Sequence, residues 1–259
     1  MDYEHIRLEQ SPAAVATIRL NRPDSLNALN AAMVDELRQA VEGLAGTGAR
    51  CLLLTGEGRG FSSGADLASG GGLPSDAGMA LEKHFNPLVK AIFDLPIPVV
   101  AAVNGPCAGA GCSLALAADI VIAANSAYFL QAFVNIGLIP DAGATWLLPR
   151  LAGRARAIEM MMLGERIPAE KALEWGLIAR VVEDEALESE AVALATRLAQ
   201  GPTIALGLIR QLARNSAHLS LSDALAMERA GQRDAGNTED FKSAVLAFLQ
   251  KRQAQFNGR

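Results

Sequence analysis

Apolar and polar residues alternate at the start of the chain and then give way to longer apolar runs. The segments "YEHIRLE" and "AAVATIRL" alternate with a period of two, which predicts two paired strands joined by a turn at 10–12. Fully apolar runs are typical of strands buried on both faces of a sheet. Three follow: "CLLLTG", "PVVAAV" and "DIVIAA". Strands alternating with helices up to about residue 130 predict an α/β layered fold.

Helical periodicity occupies the intervals between these strands and most of the chain after residue 141. Asn30 is predicted to cap a helix whose apolar stripe is Met33, Leu37, Val41 and Leu44. Further helices are predicted at 78–94 and in the small-residue segment "AGAGCSLALAA", and a short strand at "LIARVV". Four amphipathic helices close the chain, at 187–200, 203–214, 222–236 and 239–252. We therefore predict a core over 1–200 and a helical oligomerisation region over 201–259.

Composition narrows the class of protein. The chain has 259 residues, 51% hydrophobic and 20% charged, which is ample for a buried core. A net charge of −5 without a Lys/Arg cluster argues against a nucleic-acid partner. The three cysteines lack metal-ligand spacing, and the charged start of the chain lacks the apolar region of a signal peptide. Polar residues and glycines interrupt the longest apolar stretch, 96–130. We expect a cytoplasmic protein with no metal and no membrane partner.

Two glycine-containing motifs suggest chemistry but lack the context that each requires. "GFSSG" matches the G-x-S-x-G pattern of serine hydrolases, yet a poor helix follows it and no histidine is clearly matched to Ser62. A tight turn explains it better. "GAGCSL" begins like a dinucleotide fingerprint but has Leu114 at the third glycine position. Its small residues at a helix start suit either an oxyanion site or close packing. His84 is a minor general-base candidate.

Asp141 is a lone carboxylate within the small and apolar segment "IGLIPDAGAT". Its position before a predicted helix is typical of an N-cap. The alternative is a catalytic base in a dry pocket, where nearby apolar residues would raise its pKa and a helix N-terminus would lower it. From the residues alone, the N-cap is the more common of these two roles.

Five segments, taken together and in order, resemble the crotonase superfamily, which comprises enoyl-CoA hydratases and isomerases. They are "LNRPDSLNAL", "GRGFSSGADL", "AAVNGPCAGAGCSLALAADIVIA", "IGLIPDAGATWLLPRLAG" and "AEKALEWGLIARVV". The resemblance implies a spiral of ββα units that binds an acyl-CoA thioester. It also implies C-terminal helices that build a homotrimer or hexamer. Coenzyme A would belong to the substrate, and no further cofactor is implied.

The resemblance also implies roles for individual residues. Backbone N–H groups of Ala65 and Ala110 would form the oxyanion hole. Hydratases of the family carry two glutamates, whose positions here hold Ser113 and Phe133. In the isomerase branch, an acid at the position of Asp141 is the base. That branch includes enzymes that rearrange enoyl-CoA or ring-epoxide phenylacetyl-CoA thioesters, the latter in phenylacetate catabolism. Ser113 receives no proton-transfer role, and its replacement by alanine is expected to matter far less than a change at Asp141.

Substrate contacts are implied by the same resemblance. Asp24, Ser25 and Leu26 would contact the pantetheine. Ser63, Asp66 and Leu67 would contact the adenine, and Phe133 and Trp146 would contact the acyl group. Lys251 would reach the nucleotide, although an ordinary solvated helix face explains this residue equally well.

The leading functional prediction is an acyl-CoA isomerase. A hydratase with an atypical base and a non-catalytic acyl-CoA-binding protein are the alternatives. We also predict that the loop at 70–72 is mobile without ligand and becomes ordered when acyl-CoA binds, because it consists of three glycines and follows a predicted oxyanion donor.

Overall fold

The computed structural model describes residues 3–68 and 76–259, so the loop prediction at 70–72 lies outside the described residues. Its strands form two sheets, one with six strands and one with three. The strands are β1 (Ile6–Gln10), β2 (Val15–Leu20), β3 (Cys51–Gly56), β4 (Val99–Val103), β5 (Pro106–Ala108), β6 (Ile120–Ala124), β7 (Tyr128–Leu130), β8 (Ile167–Pro168) and β9 (Arg180–Val182).

The larger sheet has the order β1-β2-β3-β4-β6-β9. β1 and β2 pair antiparallel, with Ile6 opposite Leu20, as their alternation predicts. The other pairings are parallel, and every residue of β3 and β4 is buried, as expected for apolar strands covered on both faces. The second sheet, β5-β7-β8, was not predicted, because two- and three-residue strands carry too few positions for a periodic signal.

The helices are α1 (Ala31–Gly43), α2 (Gly78–Ala80), α3 (Asn86–Asp94), α4 (Gly109–Leu116), α5 (Ala144–Leu151), α6 (Arg154–Leu163), α7 (Ala169–Glu174), α8 (Leu187–Ala199), α9 (Thr203–Ser216), α10 (Leu221–Gly236) and α11 (Glu239–Leu249). Three strand pairs are each followed by a helix: β1–β2 by α1, β4–β5 by α4 and β6–β7 by α5, whereas β3, β8 and β9 are single strands followed by helices. A π-helical segment, Leu81–Phe85, joins α2 to α3, so the helix predicted at 78–94 is continuous but has one wider turn with i→i+5 hydrogen bonds.

The start of α1 shows the predicted capping. The Asn30 side chain accepts a hydrogen bond from the Met33 N–H at 2.8 Å, which satisfies one of the first amides of the helix. The predicted stripe of Met33, Leu37, Val41 and Leu44 is buried throughout. The helix therefore packs against the sheet along the face that its sequence specifies.

α9 is joined to the core by a buried arginine. The Arg210 guanidinium donates to the carbonyls of Ile92, Phe93 and Leu95 at the end of α3, and it pairs with Asp119 at 2.6 Å. These are the carbonyls that a helix leaves unsatisfied at its C-terminus. The predicted boundary near residue 200 stays a prediction.

The helices of the described residues are short or interrupted by polar positions relative to a membrane span. None of them is by itself both long and apolar enough to cross a membrane. One sharply bent pair, Asp184–Ala199 with Thr203–Ser216, passes on combined length and composition.

Candidate active site

Three loops converge because they follow the carboxyl ends of three neighbouring strands. β2, β3 and β4 are adjacent and parallel, so their carboxyl ends lie along one edge of the sheet. Ligands of parallel sheets bind at this edge. Three segments continue from this edge of the sheet: 21–30, 57–68 and 104–110. They include most of the residues to which the family resemblance assigns a role in catalysis or substrate binding.

Two asparagines join these loops. Asn27, which is fully buried, donates from Nδ2 to the carbonyls of Glu57 at 2.9 Å and Gly60 at 2.8 Å. Asn104 donates from its Nδ2 to the carbonyls of Gly56 at 3.0 Å and Gly58 at 2.8 Å. Each asparagine thus satisfies two loop carbonyls, which fixes the backbone of the second loop between the first and the third.

The Ala65 amide points away from the neighbouring segment. Leu29 donates to the Gly64 carbonyl at 2.8 Å and accepts from the Asp66 N–H at 3.0 Å, which makes a parallel bridge opposite Ala65. In such a bridge the residue between the two bonded partners directs its own N–H to the other side. Ala65 is exposed, so its N–H is available to a ligand.

The Ala110 amide lies at the start of α4, next to the Ala65 segment. It is the second residue of the helix, where N–H groups have no intrahelical partner and carry the positive end of the helix dipole. A Cβ placed at Gly64 would lie 3.0 Å from the Ala108 carbonyl oxygen and 3.5 Å from the Gly109 Cα. The two predicted oxyanion donors therefore stand on adjoining backbone segments.

Ser62 has a structural role in bringing these segments together. It is fully buried, its Oγ donates to the Asn27 carbonyl at 2.8 Å, and the same oxygen accepts from the Gly64 N–H at 3.2 Å. A Cβ at Gly111 would lie 2.5 Å from the Ser62 Cβ, so α4 packs directly on this serine. These contacts support the tight-turn interpretation. His84 is engaged with Asp35, at 2.9 Å between Nδ1 and Oδ1.

The Asp141 carboxylate does not cap a helix, so the N-cap interpretation is wrong. α5 begins at Ala144 with Gly143 in the capping position. No side chain in the described residues accepts a capping hydrogen bond from the first N–H groups of this helix. Ala142 and Gly143 have φ values of 49° and 87°, and these two left-handed residues separate Asp141 from the helix. Its Oδ1 is buried and accepts no hydrogen bond from the described residues, and burial raises the pKa of Asp141 to about 6.

The residues at the two hydratase glutamate positions lie beside these groups. Ser113, fully buried on α4, donates from Oγ to the backbone carbonyl of Asp141 at 2.9 Å. The Phe133 ring lies against the start of α4, where a Cβ at Gly109 would be 3.7 Å from its Cζ. Neither residue supplies a carboxylate, so the carboxylate in this group of residues is that of Asp141.

Sequence comparison agrees with this geometry. Residues 10–259 match the family model described as enoyl-CoA hydratase/isomerase. The chain belongs to this family. Its α/β architecture is that of the crotonase fold, as the family resemblance implies. It is an enzyme family, and hydratases as well as isomerases are named among the relatives.

Three relatives illustrate the range of this family. The chain is 49% identical over 250 residues to 1,2-epoxyphenylacetyl-CoA isomerase of Escherichia coli strain K12, with 95% of each chain covered. It is 46% identical over 259 residues to a Rhodobacter capsulatus protein named "probable enoyl-CoA hydratase", with 100% of each covered. The crystal structure of an enoyl-CoA hydratase from Bacillus anthracis has a TM-score of 0.94 at 33% identity, covering 99% of this chain and 100% of that one.

Six of the residues that the resemblance assigns to coenzyme A lie on two adjoining loop segments. The Ser63 N–H donates to the Leu26 carbonyl at 2.9 Å, and its Oγ donates to the Ser25 carbonyl at 3.0 Å. Asp24 lies in the same short 3₁₀ turn as Ser25, and Asp66 pairs with Arg22 at 2.8 Å. Leu67 follows Asp66 and is exposed.

Lys251 and Trp146 occupy other positions. Lys251 is exposed beyond the end of α11. Trp146 lines a cavity of about 610 Å³ beside α9, whose lining contains none of Ala65, Ala110 and Asp141. Its Nε1–H donates to His218 Nε2 at 3.2 Å, and the Arg150 guanidinium lies 4.1 Å from the centre of its ring. The predicted contacts of these two residues with substrate stay predictions.

Two further residues of this region, and one contact, were not found from the sequence. Arg22 pairs with Asp66, and its place beside the "PDSLNAL" stretch is the signal that could have suggested it. Gln131 is fully buried with neither amide atom hydrogen-bonded in the described residues, one position beyond the pairing of Leu130 with Ala108. The contact of Ser113 with the Asp141 carbonyl depends on tertiary packing, for which the sequence carries no signal.

Proposed function

We propose that this protein is an acyl-CoA isomerase in which Asp141 is the base and the Ala65 and Ala110 N–H groups form the oxyanion hole. The observation that carries the proposal is the Asp141 carboxylate, whose buried Oδ1 has no hydrogen-bond partner in the described residues. A structural carboxylate would normally be paired, since an unpaired buried charge is costly. A carboxylate that accepts protons during turnover has to remain available.

The chemistry requires one group that moves a proton and one site that holds negative charge. Asp141 takes a proton from the carbon beside the thioester carbonyl, which leaves an enolate, and returns it to a different carbon. Two backbone N–H donors stabilise the enolate oxygen, and each such donor is typically worth about 10²–10³ in rate. A pKa of about 6 makes Asp141 a stronger base than an exposed aspartate, yet leaves it mostly ionised at neutral pH.

Addition of water suits this arrangement less well. Hydration needs one group that activates the water and one that delivers a proton. Ser113 uses its hydroxyl proton in a bond to the Asp141 carbonyl, and Phe133 carries no ionisable group. A single carboxylate is sufficient for a shift of a double bond.

The substrate class follows from the relatives and from the loop cluster. The Escherichia coli relative named 1,2-epoxyphenylacetyl-CoA isomerase supports a coenzyme A thioester with an enoyl or ring-epoxide acyl group. We assign the pantetheine and adenine to the cluster of Asp24, Ser25 and Leu26 with Ser63, Asp66 and Leu67. We further propose a cytoplasmic location and a homotrimer or hexamer.

The test is an assay of the purified protein with 3-enoyl-CoA and 2-enoyl-CoA side by side. We expect 3-enoyl-CoA to be converted to its 2-enoyl isomer at least about 100-fold faster than 2-enoyl-CoA is hydrated, since one proton-transfer group is worth about 10²–10⁴. Faster hydration would favour the hydratase alternative. Exchange of the proton on the carbon beside the carbonyl is expected in deuterated water, and its absence would identify a non-catalytic binding protein.

A further inference from the structure

The Ser113 hydroxyl donates its hydrogen bond to a carbonyl outside its own helix. A serine within a helix normally bonds back to the carbonyl four residues earlier, which here is that of Gly109. The Ser113 Oγ lies 3.3 Å from that oxygen but 2.9 Å from the backbone carbonyl of Asp141. A hydroxyl has one proton to donate, and the shorter contact gives the better bond. The hydroxyl therefore joins α4 to a residue 28 positions further along the chain.

The segment that receives this bond needs an external support. Ala142 has a left-handed backbone, which a residue with a Cβ adopts only at a cost in free energy, and Gly143 repeats that conformation. Within the described residues, the Asp141 carbonyl accepts one further bond, from the Ala144 N–H at 2.9 Å, which lies within the same turn. The serine bond is therefore the contact at this carbonyl that fixes the turn relative to α4.

The same helix begins with one of the proposed oxyanion donors. Ser113 lies three residues after Ala110, one turn along α4. A displacement of the Asp141 segment relative to this helix would change the distance from base to bound enolate. Proton transfer is sensitive to such displacements, since misplacement by about 1 Å can cost about 10²-fold in rate.

Resting on the proposed function, we infer that Ser113 is a positioning residue, whose hydroxyl holds the Asp141 segment in register with the oxyanion-hole helix. Ser113 itself transfers no proton. This assignment changes the expectation from sequence, where its replacement was expected to matter little.

The experiment compares Ser113→Ala with the wild type in two measurements. The first is isomerisation of 3-enoyl-CoA. We expect kcat to fall about 10- to 100-fold while KM changes less than about threefold, since the coenzyme A contacts are untouched. The second is an NMR titration of the Asp141 carboxyl carbon without substrate. We expect its midpoint to fall below that of the wild type, because a loosened segment admits water to the carboxylate.

Ser189→Ala is the matched control. Its Oγ also donates to a backbone carbonyl, that of Ala186 at 2.9 Å, at an exposed position in α8. We expect wild-type values in both measurements. Ser113→Cys, which keeps similar volume and a weaker donor, is expected to be intermediate, and it replaces Ser113→Ala if that variant does not fold.

The outcomes separate this inference from the proposed function. A lowered melting temperature with unchanged kcat and an unchanged Asp141 midpoint would show a merely structural serine and overturn the inference. A wild type without isomerase activity would overturn the proposed function, and the titration alone would then decide on Ser113. A shifted midpoint in that case supports the positioning role, and an unshifted one rejects it.

Discussion

At the scale of single residues, the Asp141 carboxylate is buried without a hydrogen-bond partner for Oδ1 in the described residues, an arrangement that lowers folding stability. The sequence left open whether apolar surroundings or a helix N-terminus would govern its pKa. Burial raises that pKa from 3.8 to about 6, and α5 begins too far along the chain for the carboxylate to cap it. The side chain thus lowers folding stability at neutral pH, as is common for groups kept for chemistry.

Asp141→Asn should therefore stabilise the protein at neutral pH. Because the pKa is higher in the folded state than in the unfolded state, the ionised form costs stability as pH rises from about 4 to about 6, and the full cost remains above that range. The shift corresponds to about 3 kcal/mol at most. We expect the variant to gain about 1–3 kcal/mol in free energy of unfolding at pH 7.5 and almost nothing at pH 4. Urea denaturation at both pH values measures this, and a loss of stability at pH 7.5 would contradict it.

At the scale of elements, the site depends on how closely α4 approaches the loop that precedes it. From the sequence, the small residues of "GAGCSL" could serve either close packing of a helix or oxyanion binding. The structure shows the close packing. Gly111 contacts Ser62, while Ala110 directs an N–H from the helix start. Small residues thus allow the helix to lie close enough for its first amides to adjoin Ala65.

Gly111→Ala should separate the two oxyanion donors. Its new methyl group would lie 2.5 Å from the Ser62 Cβ, so the helix start or the serine loop has to move. We expect kcat for 3-enoyl-CoA to fall about 10²-fold, the effect of losing one donor. Gly43→Ala is the control, because a Cβ there meets nothing within 4 Å at the end of α1, and it should leave turnover unchanged. Equal activity of the two variants would contradict the proposed oxyanion geometry.

Arg210→Met should destabilise the fold far more than an exposed arginine change. The Arg210 side chain is 4% exposed, and its loss would leave carbonyls of α3 unsatisfied and remove one partner of Asp119. Breaking a buried pair costs about 3–5 kcal/mol. Arg7→Met breaks the pair with Glu57, in which Arg7 is 55% exposed, and should cost less than about 1 kcal/mol. Guanidinium denaturation compares the variants, and similar losses would mean that α9 is held by other contacts.

Sequence patterns predicted the long elements well and the site geometry only in part. β1 to β4, α1 and α8 to α11 agree with the predicted elements within a few residues, because each has several apolar positions in its period. The short strands β5, β7 and β8 had no such pattern. The positions of Ala65, Ala110 and Asp141 came from family resemblance, whereas the contacts that hold them, such as Asn27 with Glu57 and Ser113 with Asp141, arise from tertiary packing.

At the scale of the whole molecule, α11 presents apolar side chains that this single chain does not cover. They are Phe241, Val245, Leu246, Phe248 and Leu249, and Phe248 is 81% exposed. A contiguous apolar surface of this kind is typical of an interface. It agrees with the expectation that the C-terminal helices build an oligomer.

We expect light scattering to give a trimer or a hexamer at micromolar concentration. Phe248→Glu should shift the population towards smaller species, because it places a charge within the apolar surface. Gln250→Glu adds the same charge nearby without removing an apolar side chain and should leave the mass unchanged. A wild-type monomer, or two variants that behave alike, would contradict an interface on α11.

The central claim is that Asp141 is the base of an isomerase. The most direct measurement is kcat/KM for conversion of 3-enoyl-CoA to 2-enoyl-CoA between pH 5 and 8, in the wild type and Asp141→Asn, together with the affinity of each for a coenzyme A thioester. The account predicts wild-type kcat/KM that rises with pH through a midpoint near 6, a 10²–10⁴-fold loss in the variant, and affinity within about threefold of the wild type. Near-normal turnover in Asp141→Asn would show that the base lies elsewhere.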